Sequence, residues 1–242
     1  MKTLRILSAL LTYPTKEMME SIDKLVPLMK EETWMPKKEL TKIEGLVEYL
    51  KSKDLLDLQE EYVALFDRTP SLSLHMFEHI HGESAERGQA MVDLAAMYDE
   101  IGLEIASNET PDYLPLFLEY LSQLHGEEAQ QCLGEVVNVI AAVGKRLEKR
   151  KSKYTALFNA MRALTTAIPD EKFLKKALAM DDGHALSMDE TDDAWEEQMA
   201  FDGLTPKSEG CGTGCSSGGC GGSMPPKEKL KVVVKEGEQS NA

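Results

Sequence analysis

An all-α bundle of about eight helices, followed by an acidic tail with no core of its own, is the fold this sequence predicts. Nearly every segment up to residue 168 repeats its apolar residues with helical period, and almost none alternates. The loops between those segments are short, so amphipathic neighbours can bury their faces against one another. After Pro169 the composition changes. Residues 170–209 hold twelve acids against four bases, and Gly and Pro make up 12 of the 40 residues from Gly203 to Ala242.

The first segment, about 2–13, carries the apolar run Leu4 to Leu11 bordered by Lys2 and Arg5. It resembles a short secretory signal. No small-x-small cleavage site follows, however, and Tyr13-Pro14 leads straight into an acidic helical pattern, so we read an amphipathic helix. The second helix, about 16–31, sets Met18, Met19, Ile22, Leu25, Val26 and Met29 on one side, and Pro27 should bend it. Pro36 opens a third, faced by Leu40, Ile43, Leu46, Val47 and Leu50. Asp54 caps a fourth, with Leu55, Leu58, Tyr62 and Leu65 in line. Residues 67–83 interrupt the period with Pro70, three histidines and Gly82. Ser84 then caps a fifth helix buried through Met91, Leu94, Ala95, Tyr98 and Ile101, with Gly102 at its C′ position. Thr110-Pro111-Asp112 starts a sixth, whose face is Leu114, Phe117, Leu118, Leu121 and Leu124. A seventh, about 127–149, runs through Leu133, Val136, Val139, Ile140, Val143 and Leu147. Ser152 caps the eighth, which buries Leu157, Phe158, Met161 and Leu164.

These segments divide the chain into a helical domain at 1–168, an acidic and partly helical extension at 169–202, and a disordered tail at 203–242. The extension's short helix is expected around Asp193–Met199, and Val232–Val234 is too brief to form a domain. The tail buries too little apolar surface to offset its ordering entropy. The chain's 27 bases and 42 acids leave a net charge of −15, which argues against nucleic acid as a partner. No apolar run reaches the roughly 18–20 residues of a bilayer span. Four cysteines, three of them clustered and Cys132 alone, make no disulfide scaffold, and a reducing cytoplasm is the simplest compartment.

The richest chemistry lies between Phe77 and Asp93. His75 and His79 would share a face if helical, a spacing compatible with zinc, and Glu78-x-x-His81 mimics half of a di-iron site. No second Glu-x-x-His and no His-Glu-x-x-His accompanies them, so bonds to loop backbone or helix capping serve equally well. Glu83 and Arg87 stand i,i+4 and should pair. Glu86, Gln89 and Asp93 line one helix side, as a binding face or a solvated one. Cys132 sits on an apolar stripe and reads as core. Lys145, Arg146, Lys149, Arg150, Lys151 and Lys153 complement a helix C-terminus, with an anionic ligand as the lesser reading. Cys211, Cys215 and Cys220 could offer three thiolates to a soft metal, although their spacing matches no zinc or iron–sulfur module. Templates for dinucleotide, P-loop and serine-hydrolase sites are absent. A metal-carrier or metal-sensing protein using His75, His79 and His81, or the cysteine tail, is the alternative reading of these residues.

The stretch from Glu61 to Leu124 resembles the NarJ family, assembly chaperones of respiratory nitrate reductase within the TorD-like redox-enzyme maturation proteins. The residues that carry the likeness are Tyr62 to Arg68, Phe77 to Ser84, Arg87 to Leu94, Pro111 to Pro115, and Leu118-Glu119-Tyr120-Leu121. It extends more weakly over Leu4 to Leu164 and to Trp195-Glu196-Glu197. Ala85 departs from it, standing where the family carries Arg, and the Gly/Cys segment at 210–222 has no counterpart. The resemblance implies a TorD-like, all-helical cytoplasmic chaperone without catalysis and without a stably bound cofactor. Its partner would be the catalytic α subunit of nitrate reductase, including its N-terminal segment, alone or in the αβ complex, with molybdenum cofactor delivery proteins as further candidates. It would keep that subunit competent for molybdenum cofactor insertion and prevent premature docking on the membrane. At the matching positions the candidate partner-binding residues are Phe66, Phe77, Glu78, His79, His81, Glu83, Arg87, Gln89, Asp93, Pro111, Asp112, Tyr113, Pro115 and Glu119.

Overall fold

The apolar run near the N-terminus becomes a deeply buried helix of the bundle. The computed structural model describes residues 1–80, 85–105, 108–179 and 232–234, and within it α1 (Lys2–Leu11) buries Leu4, Leu7, Leu10 and Leu11 almost completely. It packs chiefly on α7 (Leu114–Gln123), which is buried along most of its length from Leu114 to Leu121. The Ser8 hydroxyl donates to the Pro115 carbonyl at 2.6 Å, locking the two helices at one depth.

A helix N-terminus presents N–H groups that have no partner within the helix. At α1 they are met by Glu32, which lies thirty residues on at the end of α2 (Lys16–Glu31). Its carboxylate accepts from the backbone N–H groups of Lys2 and Thr3 at 2.7 Å each and from the Thr3 hydroxyl at 2.8 Å. Burial pushes the Glu32 pKa up, but those hydrogen bonds outweigh it and hold the carboxyl below its ordinary range.

α2 starts at Thr15, whose hydroxyl accepts from the Met18 N–H, and it carries Pro27 in its interior. α3 (Lys37–Lys51) follows Pro36 as expected and packs on α2 and α10 (Thr155–Leu164). α4 (Leu55–Tyr62) runs directly into a π-helical turn, Val63–Asp67, where the sequence predicts continuous α-helix. That turn carries Phe66 into a cluster with Tyr62 and Tyr154, at ring-centroid distances of 5.0 and 5.2 Å. Asp54 holds the N-cap position of α4 but makes no cap bond.

The irregular stretch after Asp67 contains a 3-10 turn at Pro70–Leu72 and the short α5 (Met76–Ile80). α6 (Ala85–Glu100) buries Leu94 and Tyr98 but leaves Met91 and Ala95 half-buried and Ile101 exposed, so the expected stripe is narrower than its spacing suggested. Gly102, at φ 75, turns the chain into β1 (Leu103–Ile105).

The predicted seventh helix is two helices, α8 (Gly126–Glu135) and α9 (Val137–Lys149), parted where Val136 takes φ −101 and ψ 9. α8 buries only Ala129 and Leu133, whereas α9 is buried nearly all round. The halves meet different surroundings, and one straight axis would serve neither. α9 approaches α10 closely at Gly144, where a Cβ would stand 3.0 Å from that of Phe158. The Ser152 hydroxyl accepts from the N–H of Tyr154, the residue that occupies the N-cap of α10.

Arg146 leaves the basic cluster read from sequence. It is 5% exposed and donates to the carbonyls of Ser71 at 2.8 Å and Ala177 at 2.7 Å. It thereby ties α9 to the 3-10 turn and to α11 (Glu171–Ala179), which lies in the extension. β2 (Val232–Val234) pairs antiparallel with β1. Ser84, the helix expected at Asp193–Met199 and the rest of the tail lie outside the described residues. The described part is all-α apart from the β1–β2 pair and one isolated bridge.

Glu32→Ala should cost about 1 kcal/mol, the ordinary worth of an N-cap. Thermal unfolding followed by circular dichroism should show a Tm about 2–4 °C lower at pH 7. Because folding lowers the Glu32 pKa, the deficit should be full above the unfolded carboxyl value and shrink as pH falls through the folded one. An unchanged Tm at pH 7 would remove Glu32 from its capping role.

Candidate partner-binding site

Two loop segments far apart in sequence meet as one unit. His75 and Tyr113 form an isolated antiparallel bridge, in which Leu114 N–H donates to the Leu74 carbonyl at 2.8 Å and Met76 N–H to the Asp112 carbonyl at 3.0 Å. The Asp112 side chain, 0% exposed, sits at the join. One of its oxygens accepts from the Phe77 N–H at 3.1 Å, in the first turn of α5. The other accepts from the Thr110 hydroxyl at 2.5 Å, and that hydroxyl accepts from His75 Nδ1 at 3.0 Å.

These contacts set the protonation of the pair. The carboxylate of Asp112, 3.6 Å from His75 Nδ1, raises the His75 pKa, with burial opposing and Glu109 and Glu78 assisting. Burial alone would raise Asp112, yet His75, Thr110 and the Phe77 N–H together hold it below the usual carboxylate range. His79 goes the other way. Its burial disfavours the charged form, and its Nε2 donates to the Ser73 carbonyl at 2.9 Å.

The candidates divide into a buried set and a surface set. Phe66, Asp112, Tyr113 and Pro115 are buried, and the contacts they make here are internal. The Tyr113 hydroxyl lies 3.0 Å from that of Tyr62, which donates to the Leu11 carbonyl, and the Pro111 carbonyl accepts from Tyr98. Phe77 and His79 are half-buried. Glu119 lies 3.8 Å from Arg5, and its burial pushes its pKa up. Arg87 meets Glu78 at 3.5 Å, joining α5 to α6, and Gln89 donates to Asp93 at 2.7 Å on the exposed side of α6. Glu83 and His81 lie outside the described residues.

The surface set also contains residues that sequence reasoning missed. Ile80, Val92 and Met97 are 46%, 62% and 38% exposed. The available signal was that α6 carries apolar residues on more than one side, more than a single buried stripe requires. Among the described residues no three His, Cys, Asp or Glu side chains are placed to hold a metal ion. His75 is not helical and turns its Nδ1 to Thr110, so the zinc-compatible spacing with His79 is not realised. Cys211, Cys215 and Cys220 lie outside the described residues. No described helix is long and apolar enough to cross a membrane.

Residues 36–160 match the family described as nitrate reductase delta subunit. The nitrate reductase molybdenum cofactor assembly chaperone NarJ of Escherichia coli K12 is 38% identical over 195 residues, 80% of this chain and 82% of that protein. The chain belongs to the nitrate reductase delta subunit family. The probable assembly chaperone NarW of the same strain is 38% identical over 68% of each chain. The probable assembly chaperone NarJ of Bacillus subtilis is 29% identical over 66% of this chain and 86% of its own. These family members are named as assembly chaperones, which supports a chaperone role for the chain. The family resemblance read from Tyr62 to Leu121 is thereby confirmed.

His75→Gln should separate the two histidines. Folding raises the His75 pKa, so its contribution is full below about pH 6.5 and is lost as pH rises through the folded value. The Tm deficit of the variant relative to the parent should therefore be larger at pH 5.5 than at pH 8.5, with Asp112 ionised at both. His79 is common to both proteins and cancels in the difference. Equal deficits at the two pH values would mean that Asp112 does not act on His75.

Proposed function

We propose that this chain is a cytoplasmic, system-specific assembly chaperone of respiratory nitrate reductase. It binds the catalytic α subunit, including that subunit's N-terminal segment, keeps it competent for molybdenum cofactor insertion and prevents premature membrane docking. It holds no cofactor stably itself. The observation that carries this reading is the 38% identity to NarJ over 80% of the chain.

The surface of α5 and α6 supports it. Ile80, Val92 and Met97 offer exposed apolar contact, and the exposed acids Glu78, Glu86 and Asp93 stand on the same two helices. A basic amphipathic segment fits both features, and an unbranched methionine adapts to its shape. Ordering a flexible segment costs on the order of 2–5 kcal/mol, which buried apolar area must exceed. Binding should therefore show a negative heat-capacity change, and added salt should slow association more than it hastens dissociation. The buried set acts indirectly, holding α5 against the start of α7.

Co-expression with the nitrate reductase α subunit tests the reading. The chain should co-purify with it, and omitting the chain should leave the subunit deficient in molybdenum cofactor. The double variant Val92→Asp/Met97→Asp should reduce capture at least tenfold with helical circular dichroism retained. Undiminished capture by that variant would sink the α6 placement. No co-purification with the unaltered chain would sink the chaperone assignment to this partner.

A further inference from the structure

β1 is a single short strand that follows directly on α6. Leu103 anchors it in the core at 4% exposure, while Glu104 faces outward. Such an edge presents backbone donors and acceptors that another strand can pair with. In this protein the pairing strand comes from the far end of the same chain, with Leu103 opposite Val234, Glu104 opposite Val233 and Ile105 opposite Val232.

The chemistry of the two sides matches. Residues 227–235 read Lys-Glu-Lys-Leu-Lys-Val-Val-Val-Lys, four lysines and one acid around an apolar, β-branched centre. Asp99 and Glu100 stand in the last turn of α6, at the negative pole of the helix, and Glu104 lies in β1 just beyond it. β-branched residues favour the extended backbone. A two-stranded pairing of three residues each is marginal on its own, so it can be exchanged for a better one.

We propose that the edge of β1 is a strand-addition site for a lysine-flanked apolar segment, and that this chain's own Val232–Val234 segment is its resident occupant. The tail is then a built-in competitor: an external extended segment of the same chemistry gains the edge only by displacing it. This goes beyond the chaperone reading and does not depend on which protein supplies the external segment.

The test uses the full chain with Cys132, Cys211, Cys215 and Cys220 replaced by Ser. Directly opposed residues of antiparallel strands have Cα atoms about 4.5–5.5 Å apart, within disulfide reach. Glu104→Cys/Val233→Cys should oxidise at least tenfold faster than the off-register pair Glu104→Cys/Val232→Cys, because a one-residue slip turns the side chain to the other face. The probe is a fluorescent synthetic peptide of residues 227–237. It should bind the reduced Glu104→Cys/Val233→Cys protein and bind the oxidised form at least tenfold more weakly. Equal oxidation rates would overturn the register. No probe binding by the reduced protein, or equal binding by both forms, would overturn the strand-addition site. None of these results bears on co-purification with nitrate reductase, so the two readings fail separately.

Discussion

A carboxylate with no solvent exposure has to find hydrogen bonds for its charge, and at Asp112 that requirement dictates the local architecture. Its acceptors are filled by the Phe77 N–H and the Thr110 hydroxyl, with His75 alongside. Those partners come from two segments more than thirty residues apart. The start of α5 and the approach to α7 are therefore fixed together, and the surface offered by α5 inherits its position from a group that no partner can touch. Removing the carboxylate would leave the first turn of α5 without its remote cap.

The same device recurs at the other end of α7's main neighbour. Glu32 serves the N-terminus of α1 as Asp112 serves that of α5, each reaching in from a distant segment. In both cases hydrogen bonds to the charged form outweigh the effect of burial on the carboxyl. Arg146 is the cationic counterpart, spending its donors on the carbonyls of Ser71 and Ala177. Charges hydrogen-bonded in this way define positions more sharply than apolar packing can, since a hydrogen bond fails when a side chain shifts by a fraction of an ångström whereas a leucine repacks.

Helical period made the long elements legible: α1, α2, α3, α6, α7 and α10 lie close to where the apolar spacing puts them. It could not show the break at Val136, because residues on both sides remain apolar and keep the same phase. It could not find α5, which at Met76–Ile80 is shorter than a readable period and depends on Asp112 for its first turn. For the candidate site, family likeness pointed to a neighbourhood but could not give the burial of each side chain. Asp112 stands at a helix start in sequence and is buried, whereas Val92 and Met97, apolar but outside the expected buried stripe, are exposed. Whether a loop carboxylate faces in or out depends on donors contributed from elsewhere in the chain, and no local pattern records them.

The contact between α1 and α7 has a consequence for synthesis. The apolar side of α1 leaves the ribosome before α7, and the surface of α7 that packs on it, from Leu114 to Leu121, follows more than a hundred residues later. At about 5–20 residues per second that interval is roughly 5–20 s, far longer than helix formation itself. During it Leu4, Leu7 and Leu11 have no native cover from α7. The nascent chain thus passes through a period in which its own first helix is an aggregation hazard, closed only when α7 arrives.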